Sequence, residues 1–138
     1  MGRTYIDITP PEIVHREDFI DMISFIVCKV CDIDSGNLPS DSRKHHVALA
    51  RGLFIHFAYL YTDTSYRVLG ELTNRKETSC RDWYITIKEM VLCHDRRAYS
   101  LYIKIKEEID LYIKTIYPAT FELRVSRFET FTSVTTEI

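Results

Sequence analysis

One stretch of the chain, from Ser42 to Tyr61, most strongly limits the fold that this sequence can adopt. Its apolar residues recur at three- and four-residue steps, which is the spacing of one face of an α-helix. The basic residues Arg43, Lys44 and Arg51 are expected to lie mostly off this stripe. The pattern therefore predicts a helix at the centre of a helical core. The stripe consists of Val47, Ala50, Leu53, Phe54, Phe57, Ala58 and Tyr61.

Turn-forming residues divide the flanking sequence into further helical segments. Pro10 and Pro11 suit a helix start, the residues from Asp34 to Pro39 favour a reversal of the chain, and Pro118 stops the last helix. We predict a mainly α-helical bundle in which the helices span about 11–31, 42–61, 66–73, 78–92 and 96–116.

Two of these segments form a recognisable supersecondary unit. A short helix that ends near Thr73 is followed by a polar connection at 74–77 and then by a longer helix. Ser79 with Asp82 three residues later resembles a capping box, which predicts that the longer helix begins close to Thr78. A short helix, a tight turn and a longer helix are the helix-turn-helix plan.

The C-terminal residues follow a different period. Apolar and charged residues alternate from Phe121 to Val125, which predicts a strand in a short β-like tail. Because a lone strand is marginal, we expect a hairpin or pairing with a second copy in a homodimer. The predicted organisation is an N-terminal extension at 1–10, a helical domain at 11–117 and the tail at 118–138.

Charge is distributed unevenly along the chain. The formal net charge is -2, but the stretch from Arg43 to Lys88 carries eight basic and four acidic residues and is therefore at +4. A local basic excess is the electrostatic requirement for binding to nucleic acid. The acidic remainder argues against a protein that coats nucleic acid through bulk charge.

The cysteines and the N-terminus indicate the cellular compartment of the protein. Four scattered cysteines without a secretory signal favour reduced thiols and the cytoplasm.

Cys28 and Cys31 have the spacing of zinc ligands, but within an apolar helical stripe such cysteines more often pack as small hydrophobes. We therefore expect no metal and no cofactor. The absence of a long apolar run predicts no membrane span.

The stretch from Ser42 to Ser79 resembles the C-terminal DNA-binding domain of the bacterial replication initiator DnaA, in helix spacing and in residue pattern. That family shares the Trp-repressor-like helix-turn-helix and has the signature Gly-Arg-Asp-His-Thr-Thr-Val. The corresponding residues here run from Asn74 to Cys80, and Arg75 and Thr78 match while Ser79 keeps the hydroxyl. The resemblance covers about residues 25–110.

The resemblance implies sequence-selective binding of double-stranded DNA, with the start of the 78–92 helix in the major groove. Lys76 and Glu77 replace the Asp-His pair of the family, which predicts a different target, since Lys pairs with guanine and Glu accepts from cytosine. No phosphate-cradling Gly-rich loop is present, so ATPase activity is not expected. Thr78 is expected at a base edge or a thymine methyl group, and Arg75 and Ser79 at phosphates or the groove edge. The residues expected at the groove are Arg75, Lys76, Glu77, Thr78, Ser79 and Arg81, and those expected at phosphates are Arg43, Lys44, Arg51 and Arg67.

The sequence also bears on two other classes of function, an enzyme and a protein-interaction module. No catalytic constellation stands out in the sequence, so an enzyme is not expected. The alternative to DNA binding is a protein-interaction or dimerisation module that keeps the DnaA-like scaffold.

Overall fold

The structure, a computed structural model, describes residues 16–116, and this part of the chain is a bundle of α-helices without strands. The prediction of a mainly helical fold is therefore confirmed. The helices are α1 (Arg16–Cys31), α2 (His45–Thr62), α3 (Tyr66–Thr73), α4 (Glu77–Leu92) and α5 (Arg96–Ile116), with a 3₁₀ turn at Ser35–Asn37.

Helix α2 lies at the centre of the bundle, as its apolar stripe predicts. It packs against α1, α3 and α4, and nearly every residue from Val47 to Thr62 is buried. Helix α5 closes the bundle against α1 and α4. The aromatic residue Tyr102 on α5 is fully buried among residues of α2, with its ring centroid 4.7 Å from that of Phe57. The core therefore draws on both the central and the last helix.

The first four helices end without glycine. Asp32, Asp63, Asn74 and His94 have φ angles between 54° and 60°, and each lies at or just beyond a helix end. Short polar side chains tolerate this left-handed conformation better than bulky ones. The amide groups that follow then bond back to the last turn, as Ile33 does to the Cys28 carbonyl at 3.0 Å. These endings allow connections of only a few residues between α2, α3, α4 and α5.

Several predictions fall outside the described residues. The predicted N-terminal extension, the start of the first helix at residue 11 and the strand-forming tail at 118–138 lie there. No described helix combines the length and the apolarity needed to cross a membrane.

Candidate nucleic-acid interface

Helices α3 and α4 are joined by a turn of three residues whose backbone is tightly held. The amides of Asn74 and Arg75 both donate to the carbonyl oxygen of Gly70, the latter at 2.8 Å. A Cβ atom at position 70 would lie 2.5 Å from the carbonyl oxygen of Arg75, well inside van der Waals contact. Glycine is therefore required for this close approach. The turn sets the direction in which α4 leaves α3.

Helix α4 is anchored to the core through its inner side. Ile87 and Val91 are buried, and the ring of Trp83 packs directly on Gly52 of α2, where a Cβ atom would overlap it. Cys80 is buried beside Thr73, with its Sγ 3.9 Å from the Thr73 Oγ1. These contacts fix one side of α4 and leave its opposite side in solvent.

His56 adds a polar contact between α2 and α4. Its Nδ1 donates to the carbonyl oxygen of Tyr84 at 3.3 Å, and the two rings stack with centroids 4.6 Å apart. The side chain is fully buried, and this burial lowers the pKa of His56 to about 3. The imidazole is therefore neutral at physiological pH. Sequence reasoning missed this contact, because His56 lies inside an apolar stripe without any local motif.

The N-terminus of α4 lies within one residue of the predicted start near Thr78, but it is not formed by the predicted capping box. Lys76 is the N-cap residue, its side chain makes no capping hydrogen bond, and Glu77 opens the helix. The predicted capping box is therefore wrong, because Ser79 and Asp82 lie inside the helix. The amides of the first turn therefore have no side-chain acceptor at the N-cap, and the acidic Glu77 lies at the positive end of the helix dipole.

A cationic cleft lies beside the turn. It has a volume of about 620 Å³ and lies between the start of α2 and the turn that joins α3 to α4. Arg43 lies at its rim, and Arg51 and Arg75 both donate to the same carbonyl oxygen of Ser40, at 3.2 Å and 2.8 Å. The full lining is Asp41, Ser42, Arg43, Ala48, Arg51 and Arg75.

The cleft carries an excess of positive charge. Among the described residues, no carboxylate lies within ion-pair distance of Arg43, Arg51 or Arg75, and Asp41 is the sole acidic residue of the lining. Burial, and then the neighbouring charge of Arg75, lowers the pKa of Arg51 from its ordinary value. An anion bound in the cleft would offset this repulsion between guanidinium groups.

The expectation that Arg51 lies off the stripe and reaches phosphate has to be corrected. Its side chain is only 3% exposed, and its Nε and Nη2 atoms donate to four carbonyl oxygens of the loop before α2. Position 51 follows Val47 by four residues and precedes Phe54 by three, so it belongs to the buried face. Arg51 holds the loop in place under the cleft instead of extending into solvent. Its acceptors are the carbonyls of Asn37, Leu38, Ser40 and Ser42.

The other predicted site residues are at the surface. Arg43, Lys44, Lys76, Glu77, Thr78 and Arg81 are exposed, and Arg75 and Ser79 are half-buried. Arg67 is exposed on α3 and pairs with Glu71 at 3.3 Å. It does not line the cationic cleft, but it lines a second, open cleft together with Arg75, Lys76 and Glu77. The structure thus brings Arg43 and Arg75 into one cleft, with Lys76 following Arg75 directly. Residues distant in sequence form a single surface because the start of α2 meets the turn.

The cysteines form no candidate metal centre within residues 16–116. All four are free thiols, and no group of three or more potential ligands comes together in this range. Burial raises the pKa of Cys31 to about 11 and also raises the pKa of Cys28, so both stay protonated at physiological pH. This state agrees with cysteines that pack as small hydrophobes.

Comparison with known proteins found no matching family model, no similar curated protein and no similar solved structure. The geometry of the site therefore has to support any functional conclusion by itself.

Proposed function

We propose that this protein binds double-stranded DNA sequence-selectively through α3 and α4, without ATPase activity. The observation that carries the proposal is the cationic cleft, in which three arginines meet beside the three-residue turn between α3 and α4. DNA phosphates are the polyanion that such a surface fits, and phosphate contacts fix the register of a protein on the duplex. In this arrangement Arg43, Lys44 and Arg75 contact the backbone, and Arg51 supports them from below.

Base reading falls to the exposed start of α4. Lys76, Glu77, Thr78 and Arg81 are exposed around its first turn, where residues of a recognition helix face base edges. Lysine donates to guanine and glutamate accepts from cytosine, so G·C pairs are expected in the target. Ser79 is half-buried and lies close enough to the helix start to bind a phosphate.

The relationship of this scaffold to the DnaA C-terminal domain is part of the same proposal. It is supported by the residue pattern from Ser42 to Ser79 and by the order of α2, α3 and α4. A bacterial cytoplasm is the proposed location. Free thiols at all four cysteines are typical of that compartment.

Fluorescence anisotropy of a labelled duplex tests the phosphate contacts. The double variant Arg43→Ala/Lys44→Ala should weaken binding to all sequences and reduce the slope of log affinity against log salt by about 2, because each lost phosphate contact removes about 0.9. The matched control is Arg96→Ala/Arg97→Ala, which removes the same charge from exposed residues at the start of α5. Equal losses in both variants would show that net charge alone drives binding and would overturn the assignment of the interface.

A second pair of variants tests base reading. Lys76→Ala and Glu77→Ala should each reduce discrimination among sequences by about 1–3 kcal/mol per lost base contact. Glu77→Ala should also leave the salt slope nearly unchanged. Glu77→Ala should relax the preference at one cytosine position. An unchanged sequence preference in both variants would contradict recognition by the start of α4.

A further inference from the structure

The outer side of α1 carries a ridge that changes character along its length. Glu17, Asp21, Phe25 and Lys29 follow one another at four-residue steps and therefore lie on the same side of the helix. The side chain of Phe25 is 66% exposed, more than any other large hydrophobic side chain among the described residues. Lys29 lies over it, with its Nζ 6.0 Å from the ring centroid. The ridge is acidic at its start, aromatic in the middle and basic at its end.

A groove lies beside the acidic end of this ridge, between α1 and α3. Its volume is about 410 Å³ and its floor is apolar, with Leu72 still 43% exposed. The lining contains no basic residue, and it shares no residue with the cationic cleft. Besides Leu72, the lining includes Glu17, Ile20, Asp21 and Val68.

We propose that a second copy of this chain docks on this surface through an antiparallel contact between the two α1 helices. In this contact Phe25 of each copy enters the groove of the other at the level of Ile20 and Asp21. Lys29, one turn beyond Phe25, then reaches Glu17 of the other copy, one turn before Asp21. Because the helices run in opposite directions, both contacts occur twice around a two-fold axis.

The self-complementary order of residues is what selects a second copy as the occupant. In a two-fold interface, every contact occurs twice: if one residue of the first copy contacts a second residue of the other copy, the same two residues also meet with the copies exchanged. On one copy, Lys29 follows Phe25 by four residues. On the antiparallel copy, Glu17 precedes Asp21 of the groove by four residues, so Lys29 meets Glu17 when Phe25 meets the groove. The charges of the ridge are also segregated, so the parallel arrangement would place like charges together.

The contact is expected to be weak. Phe25 and Leu72 are the exposed large hydrophobic side chains that the ridge and the groove offer for burial. An interface with so few exposed apolar side chains falls at the lower end of the areas buried in specific complexes. We expect a dissociation constant of roughly 10–100 µM for the free protein. Dimerisation does not depend on DNA binding, and it is measured in the absence of DNA.

Sedimentation equilibrium of the full chain over about 5 to about 500 µM tests this association directly. The wild type should pass from monomer to dimer, and Phe25→Ala should remain monomeric over the whole range. Leu111→Ala is the matched control, because Leu111 on α5 is 65% exposed and lies outside the ridge and the groove. A wild type that stays monomeric, or equal effects of the two variants, would overturn the proposal.

A charge exchange tests the antiparallel register. Glu17→Lys and Lys29→Glu should each weaken the dimer at least about 10-fold, since each places two like charges opposite one another. An equimolar mixture should recover dimer, because both contacts again join opposite charges in the mixed pair. Failure of the mixture to recover dimer would refute this register.

The intrachain partner of Lys29 needs its own control. Lys29 pairs with Glu108 of α5 at 2.6 Å, and both side chains are partly exposed. Glu108→Gln removes only this pair, so it should leave dimerisation and the thermal unfolding of the protein nearly unchanged. A loss of dimer in Glu108→Gln equal to that in Lys29→Glu would show that the lysine acts through α5, and it would contradict the proposed contact with Glu17.

Discussion

His56→Gln should remove a distinct part of the pH dependence of folding stability. In the folded protein, burial lowers the pKa of His56 to about 3, whereas an unfolded histidine titrates near 6.5. Below about pH 6.5 the unfolded chain therefore binds a proton that the folded chain excludes. The free energy of unfolding should fall as the pH falls through this window and recover as the pH rises.

The magnitude follows from the width of the window. Each pH unit below about 6.5 costs about 1.4 kcal/mol, so at about pH 4.5 the contribution of His56 is a loss of about 3 kcal/mol. Single domains have free energies of unfolding of about 5–15 kcal/mol, so this loss is large enough to measure. Other groups titrate in the same range, and the relevant quantity is therefore the difference between the wild type and the variant.

Urea denaturation from about pH 7.5 to about pH 4.5 is the assay. Glutamine does not titrate and can still donate to the Tyr84 carbonyl, so His56→Gln should be less stable at neutral pH but lose less stability on acidification. The matched control is His45→Gln, which changes an exposed histidine at the start of α2. Parallel pH profiles for the wild type and His56→Gln would refute the argument that burial keeps this imidazole neutral.

Three further substitutions test the packing that positions the interface. Gly52→Ala should lower the free energy of unfolding by about 1–3 kcal/mol in urea denaturation, because the new methyl group overlaps Trp83, and Trp83→Leu should recover part of the loss. Arg51→Met should cost about 2–3 kcal/mol by the same assay, since it leaves loop carbonyls without their donor, and an unchanged stability would contradict its role under the cleft. Asn74→Val should destabilise the protein by about 1–2 kcal/mol relative to Asn74→Gly, because φ is 56° there; equal thermal unfolding of the two variants would count against this turn geometry.

The sequence predicted the helices best where local signals and packing agree. The predicted helix at 96–116 matches α5 at both ends, and Asp95 caps its start by accepting from the Ala98 amide at 3.0 Å. The helix predicted to end near Thr73 does so, and Ser65 caps its start as expected for that cluster of polar residues. At these positions the residue that sets the boundary lies within one turn of it.

Errors arose where a distant side chain sets the local structure. Helix α2 begins at His45 instead of Ser42, and the Ser42 carbonyl accepts from the guanidinium of Arg51, nine residues away. The same tertiary contact buries Arg51, which the charge pattern alone assigned to the surface. Its position four residues after Val47 on the buried stripe was the available signal. The pairing of Arg75 with the loop at Ser40 spans 35 residues and has no local sequence signal.

Selection of bound duplexes from a random-sequence pool tests the central claim most directly. The full chain is incubated with the pool at about 50 mM and at about 200 mM salt, and the bound fraction is sequenced and compared with that of Arg75→Ala/Lys76→Ala. The proposal predicts salt-sensitive binding that enriches one motif containing G·C pairs and is lost in the double variant. No binding by the wild type at the lower salt concentration, while the protein is folded, would contradict a function in DNA recognition.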